Sequence, residues 1–386
     1  MATLSPDTPN TSHNALKAAQ CVVVKIGSSI LINADTGKIN NDWLSALAED
    51  IAMLKQSGKQ VIIVSSGAIA LGRGRLGLTG AALSLAQKQA CAAAGQSALT
   101  QAYEGVLAPH NIVTAQALLT LLDTEDRRRW INARATISAL LSLGAVPIIN
   151  ENDTVATDEI RYGDNDRLAA RVAQMVGADC LVLLSDIDGL YNKDPSQHKD
   201  ARHIPIIKSL TPDILKMGGG ANKNRAVGSG GMATKLQAAR IATGAGCALA
   251  ITLGTQMRPL SALMDGTIRA SWFPAQTSPM AARKQWIAGS LKPRGTITID
   301  DGAARALARG KSLLAAGVIA ITGQFEKGDA VSILSQDQNI LGQGLAGYSA
   351  DDCREIMGIN SAQIVDKLGY DGGNALIHRD NMALLA

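Results

Sequence analysis

With 386 residues, 46% of them hydrophobic and 18% charged, the chain has room for two domains and the material for a sizeable core. Aromatics make up only 3%, which favours close helix-on-sheet packing over a β-sandwich, and a net charge of +4 is too mild to imply a nucleic-acid partner. The five cysteines (Cys21, Cys91, Cys180, Cys247, Cys353) are odd in number and form no C-x-x-C pair. That excludes a disulfide framework and a zinc site, and reads as free thiols in a reducing, cytoplasmic compartment.

Residues 1–18 are polar, lack the apolar run of a signal peptide and are expected to be a disordered tail. No later apolar run reaches the roughly 18 residues of a membrane span, so no membrane partner is expected. Short, continuously apolar runs then recur at Cys21–Val24, Val61–Val64, Ala145–Ile149, Cys180–Leu184 and Cys247–Leu253. They are rich in Val, Ile and Leu and do not alternate, as strands buried on both faces of a parallel sheet read. Helical stretches at Asn41–Lys55, Thr136–Leu143 and Arg167–Val176 lie between them. The expected fold is an α/β three-layer sandwich around a mostly parallel sheet.

Four of the runs end in something polar. Lys25-Ile-Gly-Ser-Ser follows the first, Ser65-Ser66-Gly67 the second, Asn150-Glu-Asn-Asp153 the third and Ser185-Asp186-Ile-Asp-Gly the fourth. Ligands of open parallel sheets bind outside the carboxyl ends of the strands, so these exits are expected to share one edge. Two G-x-G-x-x-G stretches, Gly72–Gly77 and Gly342–Gly347, do not join a strand directly to a helix and read as turns. "RALARGKSL" lacks the first glycine of a P-loop, where Arg305 stands.

Two later stretches carry more. In "RYGDNDRLAARVAQ", Arg161–Gln174, Asp164, Asn165 and Asp166 open an amphipathic helix; one of them serves as its cap, and three exceed that need. In Gly218–Arg240, six glycines precede a helix starting near Met232, with Lys235 in its first turn. Free N–H groups and a positive dipole end there suit a phosphate, while the lysine calls for a compensating anion. Two lysines, glycine-loop amides and a few aspartates, with no histidine or cysteine nucleophile, fit phosphoryl transfer. A carboxylate acceptor would need no general base, being ionised at neutral pH.

From Gly295 the texture changes to brief alternating strands, "GTITID", "VIAITG", "DAVSILSQ" and "NILGQGLAGY", with one short helix, "GAARALARG". The expected boundary is Ala288–Lys292, separating a catalytic domain at 19–287 from a small, mostly-β domain at 292–386. Residues 290–386 hold nine Lys and Arg against eleven Asp and Glu, so RNA binding by this module is not expected.

The pieces "VVVKIGSSIL", "VIIVSSGAIALG", "VPIINENDTVA", "GDNDRLAA", "VLLSDIDGLY" and "GSGGMATKLQAA", in this order and followed by the β module, resemble the amino-acid kinase family joined to a PUA-like domain. The resemblance implies transfer of the ATP γ-phosphate, with Mg²⁺, to the side-chain carboxylate of L-glutamate, as in the first step of proline biosynthesis. Lys25 and Lys235 would grip the migrating phosphoryl group and Asp166 would hold the lysines. Ser66, Gly67, Asp153 and Asn165 would bind glutamate, with Asp153 facing its α-ammonium. Lys25, Ser185, Asp186 and the loop Ser229, Gly230, Gly231, Met232, Ala233, Thr234 and Lys235 would bind ATP. Ser229 and Ala233 depart from the threonine and serine frequent at these positions, and Ala233 lacks the hydroxyl. Feedback by proline and a homo-oligomer, dimer or tetramer, are also implied. The competing readings are a kinase of the same scaffold acting on another carboxylate, and an RNA-binding or regulatory protein.

Overall fold

The computed structural model describes residues 14–33, 36–78, 82–155, 165–218, 231–290 and 292–385. The chain divides into two compact units, one of Met1–Glu125 with Ala133–Pro279, the other of Asp126–Asn132 with Met280–Ala386. Among the described residues no helix is long and apolar enough to cross a membrane. All five cysteines are buried and unbridged.

The first unit is built on strands β1 (Cys21–Ile26), β2 (Gln60–Ser65), β3 (Thr114–Leu119), β4 (Val146–Glu151), β5 (Cys180–Ser185), β6 (Leu190–Tyr191), β7 (His203–Ile204), β8 (Ala248–Leu253) and β9 (Ala270–Phe273). Seven form one sheet in the order β3-β4-β2-β1-β5-β8-β9; its neighbours are parallel except β9, which runs antiparallel to β8. β6 and β7 make a separate two-stranded ribbon. The five expected strands are all in the sheet. β3 and β9 were not anticipated: β3 is an edge strand with an exposed Gln116 and no continuous apolar run, and β9 is four residues long.

Side chains of β1, β2, β4 and β5 on one face, among them Val22, Val24, Ile63, Ile148 and Val182, merge with Trp43, Leu47 and Ile51 of the helix Asn41–Gln56 and Leu99, Tyr103 and Leu107 of the helix Leu85–Leu107. Burying a side chain of this size contributes about 1.5–3 kcal/mol, so this layer is a major part of the unit's stability. Helices Asn165–Val176 and Met232–Gly244 pack on β1, β2, β5 and β8 through Leu168, Val172, Leu236 and Ala239. The result is the expected three-layer sandwich.

Three expectations need correction. Residues 14–18 are a helix, not tail: Leu16 is fully buried in the core, and Lys59 Nζ donates to the carbonyls of Lys17 and Ala19, both at 2.6 Å. Residues 1–13 lie outside the described residues. Gly72 and Gly74 are inside the helix Ala68–Arg75, not in a turn. A Cβ on Gly72 would collide with the Cys91 carbonyl and one on Gly95 with that of Ala68, so both glycines exist to let two helices touch. Gly342 and Gly344 lie within a strand, described next.

The second unit carries β10 (Gly295–Ile299), β11 (Val318–Gly323), β12 (Ala330–Leu334), β13 (Ile340–Leu345) and β14 (Met382–Leu384) in the order β11-β10-β12-β13-β14. β10 and β12 are parallel and the other neighbours antiparallel. Ile297, Ile299, Val331, Ile333, Tyr348 and Cys353 fill its core. The helix Pro279–Ser290 lies ahead of the expected 288–292 boundary and, from Met280 on, goes with this unit, because the turn-rich texture begins only after it.

Candidate active site

β1 lies where the strand order changes direction, between β2 and β5, and such switch points are where open α/β sheets bind ligands. Alternation sends Val22, Val24 and Ile26 into the main core and places Lys25 on the opposite face with Val23. The helix Asn165–Val176 packs on β1 with Asp166 in its first turn, and the helix Met232–Gly244 packs beside it with Lys235 in its own first turn.

These three side chains meet. Lys25 Nζ lies 2.6 Å from Asp166 Oδ1 and Lys235 Nζ lies 2.9 Å from Oδ2. All three are buried, Asp166 to 1% exposure. The Thr234 hydroxyl is within reach of Asp166 Oδ2 (3.2 Å) and of the Gly231 carbonyl (2.8 Å). Burial by itself would push the Asp166 carboxyl up, but the Lys25 and then the Lys235 ammonium hold it well below the usual carboxylate range. The cluster therefore carries two cations and one anion away from water. Charges so placed cost several kcal/mol each to desolvate, so stability alone does not account for them. Two ammonium groups held at one point suit an incoming anion.

A second cluster begins one residue earlier. Asn165 Nδ2 faces three acceptors: Ser66 Oγ at 2.7 Å, Asn150 Oδ1 at 3.0 Å and the Ser65 carbonyl at 3.2 Å. Asn150 Nδ2 donates to Gln96 Oε1 at 2.8 Å, and the Ser65 hydroxyl pairs with Tyr103 at 2.8 Å. The ends of β2 and β4 are thus tied to the helices at 165 and 85. Asn165 Oδ1 is buried with no hydrogen-bond partner among the described residues, which leaves it free to accept from a ligand N–H. Ser66 Oγ accepts from Asn165, so its hydrogen can be donated outward. Gly67 has φ +113°, and a Cβ there would lie 2.8 Å from Ile32 Cδ1, so the turn from β2 into the next helix requires glycine.

Asp153 follows β4 by two residues, is 8% exposed and has no ion-pair or hydrogen-bond partner among the described residues. Burial raises its pKa to about 6. Ser185 ends β5, buried, and donates to Asp186 Oδ1 at 3.1 Å. Gly231 caps the helix Met232–Gly244 without a side-chain bond, leaving the first-turn amides of Met232 and Ala233 with no side-chain cap among the described residues. Ser229 and Gly230 lie outside the described residues, as does Asp164. Among the described residues no group of three His, Cys, Asp or Glu converges to hold a metal.

The structure therefore brings Lys25, Asp166 and Lys235 together, and joins Ser66 to Asn165. The sequence reading missed Gln96, Tyr103 and Asn150 as members of the cluster. Asn150 carried a signal, since it ends the apolar run of β4. Gln96 sits in an Ala-rich helix whose sequence signal is the capping box of Ser84 and Gln87 that opens it.

Residues 20–252 match the Amino acid kinase family and residues 295–368 match the PUA domain. The chain belongs to the amino acid kinase family. It is 55% identical over 373 residues to a protein of Caulobacter vibrioides named glutamate 5-kinase, covering 97% of this chain and 98% of that one. Proteins of the same name from Paramagnetospirillum magneticum and Dinoroseobacter shibae are each 56% identical over 369 residues, covering 96% of this chain and 99% of theirs.

Asn150→Ala would strand the acceptor Gln96 Oε1, take the Asn150 Oδ1 acceptor from the Glu151 amide and leave Asn165 Nδ2 with two acceptors in place of three. Urea unfolding is expected to show a loss of about 1–3 kcal/mol, and a loss within experimental error would mean that the chain of amides is not closed to water.

Proposed function

We propose that this protein transfers the γ-phosphoryl group of ATP to the side-chain carboxylate of L-glutamate, giving γ-glutamyl phosphate and ADP. The observation that carries the reading is the pair of buried ammonium groups, from β1 and from the helix at 232, on the single carboxylate of Asp166. The near-full-length similarity to proteins named glutamate 5-kinase supports glutamate as the acceptor.

In this reading a carboxylate oxygen of the substrate attacks the γ-phosphorus; that O–P bond forms as the bond to the β-phosphate oxygen breaks, and the electron pair leaves with ADP. Lys25 and Lys235 neutralise charge on the transferring oxygens, and Asp166 keeps both ammonium groups at one point. No side chain has to remove a proton, because the nucleophile is already ionised. Asp153 and Asn165 Oδ1 receive the α-ammonium, while Ser66 and the helix start at Gly67 receive a carboxylate. Ser185, Asp186 and the amides from Gly231 to Lys235 hold the nucleotide, the phosphates resting on the uncapped helix start. Thr234 turns its hydroxyl to Asp166 and Gly231 and so orders this turn rather than the nucleotide. Magnesium, when bound, neutralises phosphate charge. Its donor set here would be nucleotide oxygens and water with at most one or two carboxylates, the usual habit of this ion. Inhibition by proline, a homo-oligomeric state and a cytoplasmic location belong to the same proposal.

Hydroxylamine trapping of the acyl phosphate tests it, with glutamate expected to give product far faster than N-acetylglutamate; the opposite order would contradict the assignment. Lys235→Ala is expected to lower kcat by about 10²–10³ while changing the glutamate KM much less, and a variant near the wild-type rate would remove Lys235 from the chemistry.

Asp153 gives a pH signature. Its ionised form binds the ammonium, so the glutamate KM should rise as pH falls through about 6, reaching about tenfold at pH 5 relative to pH 7.5. The linkage sign for folding is opposite. The folded protein holds this proton more tightly than the unfolded chain, so Asp153 costs stability as pH rises from 3.8 through about 6. Asp153→Asn should show a high KM that no longer varies across this window. A variant as pH-dependent as wild type would assign the titration elsewhere.

A further inference from the structure

The second unit holds a recess that the kinase reading does not use. Its volume is about 480 Å³, and its walls come from the start of the helix Arg127–Ser142, from the approach to β10 and from the turn before β12. Five cations line it: Arg127, Arg128, Lys292, Arg294 and Lys327. All these residues belong to the same compact unit.

Of the three acids present, two are already engaged. Asp126 accepts from the Arg129 amide at 2.9 Å as a helix cap. Asp329 accepts from the Glu326 amide at 2.9 Å and lies 3.6 Å from Arg294 Nε. Among the described residues Arg128, Lys292 and Lys327 have no ion-pair partner. The informative group is Arg127. Its Nε and Nη2 are both buried and have no hydrogen-bond partner among the described residues. These two nitrogens form one edge of the guanidinium, the fork that matches two oxygens of an oxyanion. An unmet fork out of water costs free energy unless something accepts from it.

The same conclusion follows from the charge distribution. Residues 290–386 are net negative, yet the recess gathers cations from three separate segments. Burial lowers the Arg127 pKa, Asp329 raises it and Arg294 lowers it further, so its charge is held at a cost. A carboxylate would satisfy the fork but would leave most of the surrounding charge unanswered. A phosphate carries the second negative charge and a third oxygen for the lysines.

We infer that this recess binds a small phosphate ester, with two phosphate oxygens on the Arg127 fork and the third facing Lys292 and Lys327. The volume suits a ligand of metabolite size. None of its residues is among those assigned to the proposed transfer.

Calorimetric titration of the full chain, saturated with ADP and glutamate and held at constant ionic strength, tests it with glycerol 3-phosphate, inorganic phosphate and acetate as probes. Saturable binding of glycerol 3-phosphate is expected, at least as tight as inorganic phosphate and clearly tighter than acetate. Inorganic phosphate as the tighter ligand would overturn the ester assignment, and acetate binding equally well would overturn the phosphate assignment. Arg127→Gln should weaken binding by about tenfold or more, and Arg127→Lys, which keeps the charge without the fork, by several-fold. Lys327→Gln, on an exposed turn, should weaken it about threefold and serves should Arg127→Gln not fold. No saturable binding of glycerol 3-phosphate to wild type, or unchanged affinity in the Arg127 and Lys327 variants, would overturn the site.

Discussion

One carboxylate organises this molecule. Asp166, at 1% exposure, accepts two ammonium groups that arrive from opposite ends of the first unit's sequence, Lys25 from the central strand and Lys235 from the helix that precedes β8. Remove the anion and two like charges face each other without water, an arrangement no core tolerates. Keep it, and both lysines are fixed in place, so that in the proposed transfer the phosphoryl group would meet charges that need not reorganise. Two buried ammonium groups on one carboxylate cost stability, and in the proposed reaction they are what meets the phosphate.

The rest of the first unit can be read as what is required to place that carboxylate. The strand order turns at β1, which puts Lys25 in the middle of the sheet with neighbours on both sides. Two helices must then start at the same edge, so that Asp166 and Lys235 both fall in a first turn. The glycine at 231 leaves its helix start open, and the positive end of that helix would repel Lys235 if Asp166 did not answer it. Beside this charged cluster runs an uncharged one, Gln96–Asn150–Asn165–Ser66, linking four elements through side-chain amides and a hydroxyl. Charge is thus concentrated in the first cluster and dipoles in the second, with Asp153 a buried carboxylate that has no ion-pair or hydrogen-bond partner among the described residues.

Lys25 was legible because an ammonium at the end of a six-residue buried strand has no structural excuse. Asp166 was legible because three polar residues opened a helix that needs one cap, and Lys235 because it sits where the helix dipole disfavours it. These are local contradictions, visible without coordinates. Gln96 was not visible in this way: a glutamine in an Ala-rich helix contradicts nothing until the helix is known to be buried against β4. The edge strand β3 escaped for the opposite reason, since half-exposed strands mix polar and apolar residues and lose the signature of the buried ones. Gly72 read as part of a turn, whereas its role, with Gly95, is a helix crossing, which depends on a partner further along the chain.

The central claim is that Asp166 exists to hold two ammonium groups, and a comparison of unfolding free energies tests it without reference to activity. Asp166→Leu alone should lose about 3–5 kcal/mol, while Lys25→Met, Asp166→Leu and Lys235→Met together should recover most of that loss, because no unpaired charge remains. A triple variant as unstable as the single one would mean that the three side chains are not electrostatically coupled, and the account would fall.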